Sequence, residues 1–314
     1  NCTFINSMAR RIIYTLLALM CLRSAYGQSV ELKLNLELGK VYPQLMQSKA
    51  LVIQDINGQK INIDVTLGGR LTYLVKSVSE KDYQMDVQYK SLSMAMALPQ
   101  GSVKFDSEKK DKGDAFSAML GEMVNKPFQI TMTKIGQITD VKNIEFLIDD
   151  VLSHFTELPA EQLAQLKEQF LKSFGEEAFK ASFESLSAIY PSKPVAKGEN
   201  WEIKTKLGSG AGMTADVMST YTLSEINAKS HVIVGESIIT TADTYLPIRG
   251  MPTRYDLSGA MKSEIVLDKV TGWVIEAKIN QEMQGKVYIK KNEKLPDGLT
   301  IPMVMKNSML YKNQ

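Results

Sequence analysis

The chain has 314 residues, 37 Lys and Arg against 35 Asp and Glu, two His and two Cys, and a formal charge of +2. That near-neutral balance gives no electrostatic footprint for nucleic acid. So few His and Cys leave little material for a metal centre or a Ser-His-Asp triad.

The N-terminus reads as a targeting segment. Met8-Ala9-Arg10-Arg11 is a short basic start, and IIYTLLALMCL (12–22) is an apolar run too short to span a bilayer. Ala25-Tyr26-Gly27 offers the small residues that a signal peptidase reads, so cleavage is expected between Gly27 and Gln28. Met20 stands before Cys21, where an acylated cysteine normally has a small neighbour, which argues against lipidation. Removal of residues 1–27 takes Cys2, Cys21 and three arginines with no acid, so +2 becomes −1 and no thiol remains. No later stretch is long and apolar enough to be a membrane span. The expectation is an exported protein, periplasmic or extracellular.

In VELKLNLELG, Val30, Leu32, Leu34, Leu36 and Leu38 share one face, which predicts a strand with one buried and one wet side. The same period recurs at Ile61–Leu67, Tyr83–Tyr89, Phe128–Met132, Trp201–Leu207 and Trp273–Ile279, and favours antiparallel sheet. Asn57-Gly58 predicts a tight hairpin. In SLSMAMALP (91–99), Leu92, Met94, Met96 and Leu98 alternate with small residues.

Helical spacing follows. A short helix is expected over Asp114–Val124. Ile144, Leu147, Ile148, Val151, Leu152 and Phe155 form one helix face after Asn143. Leu163, Leu166, Phe170 and Phe174 form a second after Pro159. Phe179, Phe183, Leu186 and Tyr190 form a third, closed by Pro191. LTYLVKSVSEKDYQMDV (71–87) lies over STYTLSEINAKSHVIVG (219–235) without a gap, and TKIGQITDV (133–141) resembles DKVTGWVIEA (268–277). The repeated order of elements points to two related β-meanders, residues 28–142 and 197–314, flanking a helical block at 143–196 within one structural unit.

Candidate chemistry is sparse. His154 falls on the polar side of its helix, and His231 takes a packing position. LGSGAGMT lacks the third glycine of a dinucleotide fingerprint and the Lys-Ser/Thr of a P-loop, so it reads as a hairpin. Asp149-Asp150 and Glu176-Glu177 are adjacent on helices and do not converge on one substrate atom. KFDSEKKDKGD (104–114) reads as a solvated loop. The methionines remain. Clustered Met-x-x-Met ligands are absent, so core packing competes with a surface that accepts apolar guests.

FGEEAFKASFESLSAIYPSKPVAKGENW (174–201), with the Asn-Gly hairpin and the Thr-Tyr-x-Leu strand, resembles a family of exported bacterial proteins known only as a domain of unknown function. The resemblance implies export and an α+β architecture, and no activity.

The expected fold is α+β: a curved antiparallel sheet or open barrel with the helical block packed on it. The expected function is non-enzymatic binding of a lipid or acyl chain between sheet and helices, lined by Met85, Leu92, Met94, Met96, Leu98 and Met132, without metal or cofactor. The alternatives are a partner-binding envelope protein with a filled core and, as a minor reading, a carboxylate-dependent hydrolase.

Overall fold

The computed structural model describes residues 29–99, 101–109, 115–208, 213–248, 250–293 and 295–313. The expected leader, its cleavage point, both cysteines and residues 209–212 of the glycine-rich hairpin lie outside them.

In chain order the elements are β1 (Val41–Ile56), β2 (Gln59–Val78), β3 (Asp82–Leu98), β4 (Gly101–Asp106), α1 (Ala115–Met123), β5 (Pro127–Thr133) and β6 (Ile138–Lys142). Then come α2 (Ile144–Ser153), α3 (Ala160–Phe174), α4 (Glu176–Ser187), β7 (Asn200–Gly208), β8 (Thr214–Ile226) and β9 (Ser230–Thr241). The last are β10 (Leu246–Ile248), β11 (Met251–Asp268), β12 (Val274–Ile289) and β13 (Leu299–Lys312). The strands form one open, curled antiparallel sheet in the order β6-β5-β3-β2-β1-β13-β12-β11-β9-β8-β7, with β4 on β3 and β10 on β11.

The segment Val30–Leu38 departs from expectation. Leu32, Leu34 and Leu36 are buried as the alternation requires, yet the segment is not a strand of the sheet. It runs extended across one end of the molecule. Val30 bridges Val195, the Leu34 N–H donates to the Lys134 carbonyl, and the Asn35 N–H donates to the Thr271 carbonyl. The Tyr83 hydroxyl accepts from the Leu36 N–H and donates to the Leu34 carbonyl, both at 3.0 Å. Alternation reports one buried face, and tertiary contacts choose the partner of the backbone.

Helix α4 closes the same end. The sheet's two edges, β6 and β7, would otherwise leave backbone groups unpaired, and α4 packs on both. A Glu184 carboxylate oxygen accepts the Ile138 N–H at 2.9 Å, and the Ser187 hydroxyl donates to the Gly136 carbonyl at 2.6 Å. Just beyond the helix, the Tyr190 hydroxyl donates to the Gly272 carbonyl at 2.7 Å. The Trp201 indole donates to the Ile189 carbonyl at 2.8 Å. The core at this end is largely aromatic, with Tyr73 against Phe183 and Trp273, both at 5.3 Å between ring centroids.

Two sets of strands share register. Tyr73 opposes Val87, Val75 opposes Met85, and one residue is skipped before Ser77 opposes Gln84. In β8–β9, Tyr221 opposes Gly235, Leu223 opposes Ile233, and the skip falls before Glu225, which opposes Val232. Irregularities also fall at Thr131/Met132 in β5 and at Val266/Leu267 in β11. Close approach of strands demands glycine at Gly285. Its φ is +153°, and a Cβ there would lie 2.0 Å from the Asp256 carbonyl oxygen.

Candidate apolar binding face

Residues directly opposite one another in a ladder point to the same face of the sheet. In β3, Tyr83, Met85, Val87 and Tyr89 point inward on odd numbers, whereas Leu92, Met94, Met96 and Leu98 are even. A β-bulge reconciles them. Leu71 opposes Tyr89 while Arg70 opposes Ser91, so Lys90 is the extra residue. The bulge resets the parity, and both series lie on the inner face of one 17-residue strand. Met132, opposite Tyr83 in the β3–β5 ladder, shares that face.

All six candidate residues therefore share a face, in two different environments. Met85 and Met132 are fully buried and Leu92 is 6% exposed; they belong to the core. Met94, Met96 and Leu98 are half-buried and lie outside the core cluster. Leu67 opposes Met94 and Val65 opposes Met96 across β2. Phe105 and Val103 do the same across β4. Toward β1, Ile63 opposes Val52, which in turn opposes Met305. The result is a continuous apolar strip over β1–β4, with Leu67 37% and Val103 40% exposed. The sequence marked Ile63, Val65 and Leu67 as one buried strand face but gave no sign that they flank Met94 and Met96.

The strip is blind at the helical end. Phe105 meets Phe116 of α1 at 4.4 Å, and Phe116 meets Phe170 of α3 at 4.9 Å. The Ser117 hydroxyl of α1 accepts the Asp106 N–H at 3.1 Å. At the opposite end lie the exposed polar residues Asn57, Gly58, Gln59 and Lys60 of the first hairpin. A void of about 10 Å³ lies between sheet and helices, lined by Leu34, Gln44, Phe183, Tyr190 and Trp273. That is room for about one water, far less than an acyl chain. A separate surface groove of about 490 Å³ is lined by Lys126, Pro127, Asn143, Phe146, Leu147 and Asp150. Its Phe146 is 73% exposed, on the helix side opposite the buried stripe.

The titratable groups read as structural. Asp150 accepts from Lys126 at 2.7 Å, which holds its carboxyl below the usual range. Asp149 pairs with Lys167 at 2.5 Å, so the two neighbouring acids point to different partners. His154 is exposed, 3.6 Å from Glu122. His231 is buried with an unpartnered Nε2, and burial, reinforced by the Lys269 charge, pushes its pKa down. Burial raises the pKa of Tyr73, Tyr89, Tyr190 and Tyr311, that of Tyr311 to about 12. Among the described residues, no three His, Cys, Asp or Glu side chains are grouped to hold a metal ion, and no helix is long and apolar enough to cross a membrane.

These features define a curled-sheet protein whose inner face is core at one end and an open apolar strip at the other. The chain belongs to the Family of unknown function (DUF6263), whose model matches residues 80–274. No curated protein matches it. Among solved structures it is similar to lipovitellin, from a study of its lipid-protein interactions, at TM-score 0.47 and 10% identity over 89% of this chain. The chain spans 25% of that lipovitellin chain. It is also similar to the outer membrane protein OprG from Pseudomonas aeruginosa, at TM-score 0.24 and 7% identity over 88% of this chain and 98% of that one. A third similarity is to a putative outer membrane lipoprotein-sorting protein domain from Vibrio parahaemolyticus, at TM-score 0.14 and 10% identity over 85% and 84% of the two chains.

Proposed function

We propose that this is an exported, non-enzymatic protein that holds an apolar ligand, a lipid or acyl chain, on the inner face of β1–β4. The observation that carries the reading is the half-exposed strip of Ile63, Val65, Leu67, Met94, Met96 and Leu98. Contiguous apolar surface of this kind costs free energy in water unless something covers it. Methionines suit a surface that adapts to varied hydrocarbon, because the thioether chain is flexible and polarizable. The site thus lies on the distal half of the sheet rather than under the helices, where Met85, Leu92 and Met132 are core. Export rests on the leader read in the sequence. The shared register of β2–β3 and β8–β9 supports descent of the two halves from one meander, a reading of origin rather than of activity.

Mass spectrometry of the protein purified from its native host, with binding of an environment-sensitive apolar dye, tests the ligand. Co-purified lipid and a dye signal that Met96→Asp abolishes without unfolding the protein are expected. An empty protein that leaves the dye dark sinks the proposal. It would favour a partner-binding envelope protein, the reading that the filled core between sheet and helices supports.

A further inference from the structure

We infer that the ligand is a two-chain amphiphile, held with both tails along the strands and its polar head at the hairpin tips. This rests on the apolar-ligand reading above and adds the number, length and direction of the tails.

Width sets the number. On the β1 side, Val52 and Met305 pack against the core, so the open part of the strip runs from β2 to β4. Two strand spacings make about 10 Å. A hydrocarbon chain in van der Waals contact with its neighbours needs roughly 4–5 Å, which leaves two lanes side by side. Leu67 and Val103, at 37% and 40% exposed, stand on the two outer strands with Met94 and Met96 between them.

Length and direction follow from the ends. From Met94 to Leu98 the open strip advances four residues, about 13 Å at about 3.3 Å each. That matches a tail of roughly 10 carbons, at about 1.25 Å per methylene along an extended chain of 1.5 Å bonds. The stack of Phe105, Phe116 and Phe170 blocks the inner end, so tails enter from the tips. There Asn57, Gln59 and Lys60 are exposed beside water, where a polar head keeps its hydration.

Native mass spectrometry of the chain without its leader, titrated with a one-chain lysophosphatidylcholine and a two-chain phosphatidylcholine of equal tail length, decides the matter. Saturation at two molecules of the first and one of the second is expected. Occupancy should rise with tail length to about 10 carbons and then level off. Val65→Trp, which fills one lane, should reduce the one-chain count from two to one. Saturation of the wild type at one lysolipid, or at more than two, overturns the two-chain inference while the apolar-ligand reading stands. If neither lipid binds, the apolar-ligand reading itself fails.

Discussion

Glu184 shows how one side chain can finish a fold. Its carboxylate accepts the Ile138 N–H at the edge of β6, from a helix that also packs on β7. Hydrogen bonds to a charged acceptor contribute about 1.5–3 kcal/mol, and the loss is larger when the donor is left unpaired. Glu184→Ala should lower stability by about 2 kcal/mol in chemical denaturation, and Glu184→Gln, which keeps an acceptor, by clearly less. Equal losses would mean that the carboxylate does not cap the edge. The sequence marked Phe179, Phe183 and Leu186 as the buried stripe of this helix, and the structure buries all three. It gave no hint of Glu184, because a polar residue on a helix flank looks the same whether it faces water or a strand edge.

At the scale of the element, β3 carries the main lesson. Its sequence reads as two strands of opposite phase, Tyr83–Tyr89 and Leu92–Leu98. It is one strand, and the bulge absorbs the extra residue Lys90 so that both apolar series face inside. Deletion of Lys90 should leave unbroken alternation from Tyr83 to Leu98, with Leu92, Met94, Met96 and Leu98 still inward. Dye binding should then be retained, because side chains alternate strictly along a regular strand. Loss of dye binding in a folded deletion variant would show that the strip depends on the bulge itself. The same limit explains Val30–Leu38. Alternation there identified the buried side chains Leu32, Leu34 and Leu36, while the pairing of the backbone with Lys134 and Thr271 came from distant turns. The expected helix at Asp114–Val124 corresponds to α1, Ala115–Met123. The helical stripes after Asn143, Pro159 and Gly175 correspond to α2, α3 and α4.

For the whole molecule, buried ionisable groups set the pH range of stability. His231 has its folded pKa below the ordinary value of 6.5. Its contribution is complete above 6.5 and is lost as the pH falls from there toward the folded value, since the unfolded chain binds the proton more readily. The buried tyrosines act in the opposite sense. Their folded pKa values lie above the ordinary 10.0, so their contribution is complete below 10 and is lost as the pH rises beyond it. Denaturation midpoints should form a plateau between these limits. His231→Gln should flatten the acid side alone, and phenolate absorbance should appear together with unfolding on the alkaline side. A tyrosine titration complete below the unfolding pH would contradict burial of the aromatic end.

By itself the sequence determined the helices and the alternating faces of several strands, because periods of two and 3.6 are local consequences of backbone geometry. It also made plain the scarcity of histidine and cysteine. The tertiary structure alone decided which buried faces find a partner. Met85 and Met132 lie in the closed core, whereas Met94 and Met96, on the same face, lie outside it. Covered and uncovered methionines are identical in pattern. They differ only in the reach of segments distant in the chain, and no local periodicity encodes that reach.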